Sequence, residues 1–177
     1  KLRGSVLALA LLGIFLFMTP TALPAATARQ AFNKAVSNFQ ASPDDKLLRR
    51  KVLTLARDLK DLPDDPDEVL VLKGKAAYIM KSANSPMDFK PAVEAYDKAI
   101  LLAPWDGNLY YNLGVVQEKS GLASEAANSF KLYLLAFPDA EDRDKVLARL
   151  GKLDVEKDKE VQQQQKAVVN HELASAN

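Results

Sequence analysis

The side chains that most often perform catalysis or bind metals are scarce in this sequence. The chain contains one histidine, His171, and no cysteine. A Ser-His-Asp triad needs its histidine held beside a nucleophile, and the polar stretch around His171 supplies no such setting. Without cysteine, disulfides, thiol catalysis and cysteine-ligated metal sites are excluded.

Carboxylates are the remaining candidates, and they are densest in residues 61–68. A calcium loop would need alternating oxygen ligands and a glycine, which this stretch lacks. Its acids fit a helix start instead, with Asp65 as N-cap, Pro66 at the first helical position and Glu68 completing a capping box. The seven glycines are scattered, so no phosphate-binding loop is present. We therefore expect no catalytic residue, metal, cofactor or small-molecule substrate, and predict that the protein is not an enzyme.

The charge balance argues against nucleic acid as a partner. The formal net charge is +1. Lys1 and Arg3 lie in a predicted leader, residues 1–28, and without them 22 of the 24 basic residues stand against 23 acidic ones. A nucleic-acid-binding domain usually shows a clustered basic face.

The first 28 residues resemble a targeting segment. Basic residues precede an apolar run at 6–18, and Ala26, Thr27 and Ala28 provide an Ala-x-Ala site, so a cleaved secretory signal is predicted. A helix over 6–18 would be about 20 Å long, short of the roughly 30 Å hydrocarbon core. The alternative is an uncleaved anchor, because residues 5–23 could span a bilayer if tilted. Both place the folded part outside the cytosol, which in a bacterium means the periplasm.

Hydrophobic spacing after residue 28 predicts a series of short helices. Residues 29–62 would form one pair, with Ser42 starting its second helix. Further helices are predicted at 66–81, 91–103, 108–120 and 123–137, with Gly121 as a left-handed stop. Residues 139–156 would form a closing helix with Val146, Leu150 and Leu153 on one face. Residues 157–177 are predicted to be a polar tail, either a frayed helix or disordered.

A period of 34 residues links the last two complete pairs. Four kinds of residue recur 34 positions apart. They are small residues (Ala92 and Ala126), aromatic residues (Tyr96 and Phe130), other packing residues (Ala99 and Tyr133) and helix-ending prolines (Pro104 and Pro138). Such a period is typical of stacked helix–turn–helix units. The pattern predicts an all-α solenoid of antiparallel helix pairs over residues 29–156, with units at 29–62, 66–104 and 106–138.

Residues 108–139 resemble a tetratricopeptide repeat (TPR). The matching positions are Tyr110, Leu113, Gly114, Ala126, Phe130 and Pro138. Gln117 stands where an aromatic is common, and Tyr133 stands where alanine is usual. The preceding unit matches in its second helix only: if Gly74 is its signature glycine, its inter-helix loop has gained six residues. Residues 29–62 would be a degenerate unit.

The resemblance implies a function in protein binding. TPR arrays bind partners on a concave face lined by the first helix of each unit. The residues expected there are Asn108, Tyr111, Val115 and Glu118, with Val71, Lys75 and Tyr78 from the preceding unit. The chain is also similar to small exported bacterial repeat proteins that share a Leu-Leu-Ala-Pro-Trp turn (residues 101–105) and a Tyr-Tyr-Asn helix (110–112). The sequence thus predicts a periplasmic adaptor for a protein or peptide, or alternatively a structural accessory subunit anchored in the membrane by residues 1–28.

Overall fold

The structure, a computed structural model, describes residues 25–175, which form seven α-helices and a short 3-10 helix and contain no β-strand. The helices are α1 (Ala25–Ala41), α2 (Lys46–Arg57), α3 (Asp67–Ser82), α4 (Lys90–Leu102), α5 (Gly107–Lys119), α6 (Ala123–Ala136) and α7 (Arg143–Ser175). The prediction of an all-α fold is confirmed. Residues 1–24, most of the predicted signal or anchor, lie outside the described residues, and Ala25–Ala28 belong to α1.

The first helix pair packs through one apolar face of each helix, with Val52, Leu53 and Ala56 buried on α2. On α1, Phe32, Ala35 and Phe39 are buried. The predicted start of α2 at Ser42 is wrong, because Asp45 is the N-cap and its carboxylate accepts hydrogen bonds from the amides of Leu47 and Leu48. Leu47, in the first turn of α2, is 76% exposed.

The capping box predicted in the loop before α3 is absent, and a capping box forms in the loop after α3. The expected capping box at Asp65 and Glu68 is absent, since Pro66 occupies the N-cap position without a side-chain hydrogen bond. A capping box forms instead at Ser85 and Asp88, in the 3-10 helix Pro86–Phe89 that leads directly into α4. The segment predicted as a simple connection is therefore an ordered turn that fixes the start of α4.

α5 and α6 form the regular hairpin that the repeat pattern predicted. Asp106 caps α5, and Gly121 ends the hairpin turn with φ +76°. The amide of Leu122 donates to the carbonyl of Gln117 at 2.9 Å, and the amide of Gly121 donates to that of Glu118 at 3.1 Å. This pair of bonds is a Schellman motif, which needs a left-handed residue at the glycine position.

α7 is longer than the predicted closing helix. Its backbone is helical from Arg143 to Ser175. Val146, Leu150 and Leu153 are buried on one face, as the sequence predicted. Among the described residues, no helix combines the length and apolar character needed to cross a membrane.

α3 to α7 pack in chain order, each against the next, in an arrangement consistent with a helical repeat array. The pair α1–α2 does not simply precede this stack. α1 contacts α4, where Gln40 donates to the carbonyl of Leu101 at 3.2 Å, and α2 contacts α6. The ring of Phe32 also meets that of Trp105 edge-on at 6.0 Å. The first pair therefore lies across the second helices of the two later units.

Candidate functional site

The repeat-signature residues form the core between the paired helices. A Cβ at Gly114 would lie 2.9 Å from the ring of Phe130, so the glycine permits the close approach of α5 and α6. The hydroxyl of Tyr110 donates to the carbonyl of Pro104 at 3.0 Å, which joins the start of α5 to the end of α4. Other signature residues are also buried: Ala92, Tyr96, Ala99, Leu113 and Ala126. Pro138 is exposed.

Gly74 does not have the role that the sequence suggested for it. A Cβ at Gly74 would meet no atom within 4 Å, whereas the buried residues of α3 are Val69 and Ala76. Gly74 is therefore not a close-approach glycine between α3 and α4, and a loop insertion counted from it has no structural basis.

The candidate partner-binding residues of α3 all face solvent. Val71 is 69% exposed and Tyr78 is 74% exposed, and Lys75 between them is also exposed. They lie at i, i+4 and i+7 on one side of the helix.

The four candidates on α5 have different surroundings. Asn108 is exposed in the first turn of α5, and Val115 is half-buried. Tyr111 packs between helices, with its ring 5.7 Å from that of Phe130 and 5.1 Å from that of Tyr133. Glu118 forms an ion pair with Arg149 of α7 at 3.4 Å.

Asn108 borders a wide groove of about 920 Å³ that is open to solvent. Three elements form it: the end of α2, the start of α5 and the turn from α6 to α7. The lining residues are Arg57, Asn108, Tyr133, Ala136, Phe137, Pro138, Asp139, Ala140, Glu141 and Asp142. Sequence reasoning identified only Asn108 as a binding candidate here, since the other parts come from segments distant in the chain.

The floor of the groove is aromatic and fixed in position. The ring of Phe137 meets that of Tyr133 edge-on at 5.5 Å, and Phe137 remains 38% exposed. A Cβ at Gly107 would lie 2.4 Å from Cε2 of Phe137 and 2.7 Å from Cβ of Ala136. Gly107 therefore allows the ring of Phe137 to lie against the start of α5.

A hydrogen bond ties this floor to the acidic rim. The hydroxyl of Tyr133 donates to the carboxylate of Asp142 at 2.6 Å. Burial of the phenol and then its bond to Asp142 raise the pKa of Tyr133 to about 12. Tyr133 is thus the neutral donor at physiological pH, and it holds the turn from α6 to α7 in place.

The rim of the groove is negatively charged. The lining includes Asp139, Glu141, Asp142 and one cation, Arg57, which gives it a net charge of −2. Arg143 lies at the edge of the groove, where its Nε donates to the carbonyl of Pro138 at 3.0 Å. The Asp142 carboxylate accepts from Tyr133, whereas Asp139 and Glu141 are exposed and make no ion pair or side-chain hydrogen bond within the described part of the chain. The two free carboxylates leave the groove suited to a cationic ligand.

A second group of charges lies between α3 and the start of α5. Nζ of Lys73 lies 3.3 Å from Asp106 and 3.9 Å from Asp65. Burial and the neighbouring Asp106 raise the pKa of Asp65 to about 6. Because Asp106 also caps α5 through the amide of Asn108, Lys73 links the loop before α3 to the start of α5. In residues 25–175, no cluster of three metal-ligating side chains was found.

Comparisons with known proteins identify no relative. No family model matches the chain, and neither the curated proteins nor the solved structures contain a match. Its function is therefore inferred from its residues and their geometry.

Proposed function

We propose that the protein is a non-catalytic scaffold of the tetratricopeptide type, which binds a segment of another protein in the bacterial periplasm. The resemblance over residues 108–139 and the leader-like pattern of residues 1–28 support the family and the compartment. The binding site in this proposal is the groove between α2, the start of α5 and the α6–α7 turn.

One observation carries the proposal: the groove combines an exposed aromatic floor with an acidic rim. Phe137 and Pro138 offer apolar surface, and Asp139 and Glu141 lie beside it without partners in the described residues. Aromatic residues dominate the binding energy of protein interfaces, and rim charges select the partner and speed its association. The ligand that fits this chemistry is an extended segment with a lysine or arginine next to an apolar side chain.

The open form of the groove favours a polypeptide over a small molecule. Small-molecule sites usually enclose most of the ligand surface. This groove is wide and open to solvent, so it does not enclose its ligand as a small-molecule site would. Asn108 at its border adds an exposed amide that can both donate and accept hydrogen bonds with a peptide backbone.

The acids of the rim also stabilise the start of α7, but this role explains only some of them. They precede α7, where carboxylates interact favourably with the positive end of the helix dipole. Asp142 fulfils this role while it accepts the bond from Tyr133. Asp139 lies further from the helix start and remains exposed in the lining of the groove with Phe137, where it is accessible to a cation.

Peptides of opposite charge test the proposal. A labelled peptide alternating lysine and leucine, and a matched peptide alternating glutamate and leucine, are titrated with the protein. We expect the basic peptide to bind and the acidic peptide not to bind. Asp139→Asn combined with Glu141→Gln should weaken binding about tenfold and reduce its dependence on salt.

A control variant separates the groove from general surface charge. Glu125→Gln removes a carboxylate from the first turn of α6, at the other end of the helix from the groove. It should leave the affinity unchanged. Equal losses in the control and the groove variant, or equal binding of the two peptides, would contradict the proposal.

A further inference from the structure

One face of α3 is exposed along the whole helix and is largely apolar. Its residues follow the i, i+3, i+4, i+7 spacing of a helix face. They are Asp67, Leu70, Val71, Gly74, Ala77, Tyr78 and Lys81, and all are exposed. α3 packs against α4 through its opposite side, so nothing in residues 25–175 covers this face.

Gly74 lies at the centre of this face and has no function within the fold. Glycine in the middle of a helix is destabilising relative to alanine. At Gly74 an added Cβ would meet no atom within 4 Å, so internal packing does not require glycine there. A glycine between large apolar side chains does, however, allow a second helix to approach closely.

We propose that this face pairs with the same face of a second copy of the chain, with the two α3 helices antiparallel and crossing at Gly74. The face is self-complementary about that residue. Leu70 and Tyr78 lie four residues on either side of it, and Asp67 and Lys81 lie seven residues on either side. In an antiparallel pair, each Leu70 therefore meets the Tyr78 of the other copy, and each Asp67 meets a Lys81.

The charge pattern selects this occupant and this orientation. A two-fold interface uses the same patch on both subunits, so its charges must be complementary to themselves. The face has an acidic end at Asp67 and a basic end at Lys81, which satisfies that requirement only when the helices are antiparallel. Lys75, which is also exposed, lies at one edge of the face and outside its centre line. A parallel pair would place like charges together.

The size of the face predicts a weak dimer. Stable complexes bury about 800 Å² per partner, which one face of a helix of 16 residues does not reach. We expect monomer and dimer to exchange on dilution. The groove proposed above includes no residue of α3, so the two proposed interfaces share no residue.

Cross-linking of the full chain tests the pairing directly. Because the chain has no cysteine, one introduced cysteine can form a disulfide only with another copy. Gly74→Cys places two cysteines at the crossing point, within the short Cα–Cα distance that a disulfide needs. Gly151→Cys is the matched control, since Gly151 is also an exposed helical glycine with open space around its Cβ. We expect rapid oxidation to a dimer for Gly74→Cys alone, and equal cross-linking of both variants would overturn the pairing.

Charge exchange tests the orientation by sedimentation velocity over a concentration series. Asp67→Lys and Lys81→Asp each create two like-charge contacts in the dimer, so each should raise the dissociation constant about tenfold. A mixture of the two variants restores both opposite-charge contacts and should associate like the wild type. A wild-type chain that stays monomeric throughout, or a mixture that associates no better than its components, would overturn the proposal.

Discussion

The ring of Phe130 occupies the space beside Gly114 so closely that a Cβ on the glycine would lie 2.9 Å from Cε1 of the ring. The same ring receives the edge of Tyr111 and the guanidinium of Arg149, which lies 5.5 Å from its centroid. Side chains from α5, α6 and α7 therefore meet at Phe130.

This contact predicts opposite effects for two glycine substitutions. Gly114→Ala forces a fully buried ring to move and should lower the free energy of unfolding by about 1–3 kcal/mol. Gly151→Ala on α7 meets no neighbouring atom and should raise it by up to about 1 kcal/mol through helix propensity. Urea unfolding measures both, and a stabilising Gly114→Ala would contradict the close packing.

A buried polar pair lies one turn further along the same hairpin. The hydroxyl of Ser129 donates to Oε1 of Gln117 at 2.7 Å, and both side chains are buried. Ser129→Ala leaves the amide oxygen without its donor, so it should cost about 1–3 kcal/mol in unfolding free energy. Ser124→Ala, an exposed change on the same helix, should stay within about 0.5 kcal/mol. Replacing Gln117 with Met in the Ser129→Ala background should recover much of the loss, and failure to do so would show that the hydrogen bond is not the cause.

Asp65 predicts a pH dependence of stability. Its pKa in the folded protein is raised to about 6 from 3.8. The folded state therefore holds the proton more tightly, so the stabilisation is complete below pH 3.8 and is lost as the pH rises through 6. Asp65→Asn removes the charge facing Asp106 and should raise the melting temperature at neutral pH, with no gain near pH 4. Asp44→Asn, an exposed change in another loop, serves as control, and a gain independent of pH would contradict this role of Asp65.

Tyr111 and Tyr78 were both predicted as contact residues, and the structure gives them different surroundings. Tyr111 packs against Phe130 and Tyr133, whereas Tyr78 is 74% exposed. Tyr111→Ala should therefore lower the free energy of unfolding by about 2 kcal/mol, and Tyr78→Ala should change it little. Thermal unfolding at low protein concentration compares the two variants. Similar stabilities would contradict a packing role for Tyr111.

The sequence predicted the helices well where hydrophobic spacing and a strong stop signal coincided. Gly121 is one such case, because its left-handed conformation is required by the turn it ends. Helix starts were less predictable where several acids and prolines compete. Asp45 capped α2 in place of Ser42, and Asp65 turned toward Lys73 and Asp106 in place of capping α3. The orientation of Asp65 depends on tertiary contacts that local sequence does not encode, whereas at α2 two nearby residues were both suitable caps.

Most of the candidate groove could not be predicted from the sequence. The 34-residue period located Tyr133 as an unusual residue in the repeat, but not its bond to Asp142. The groove also needs Arg57, which the packing of α2 on α6 brings to its edge. No repeat pattern predicts that packing, because the first pair lies across the array and is not simply its first unit.

The binding role of Phe137 tests the account most directly. The lysine–leucine peptide is titrated with the wild type, Phe137→Ala and Leu122→Ala; both of these apolar side chains are 38% exposed, and only Phe137 lines the groove. We predict that Phe137→Ala weakens binding by about tenfold or more and that Leu122→Ala leaves it unchanged. Equal affinities for all three proteins would contradict the proposal that this groove binds the partner.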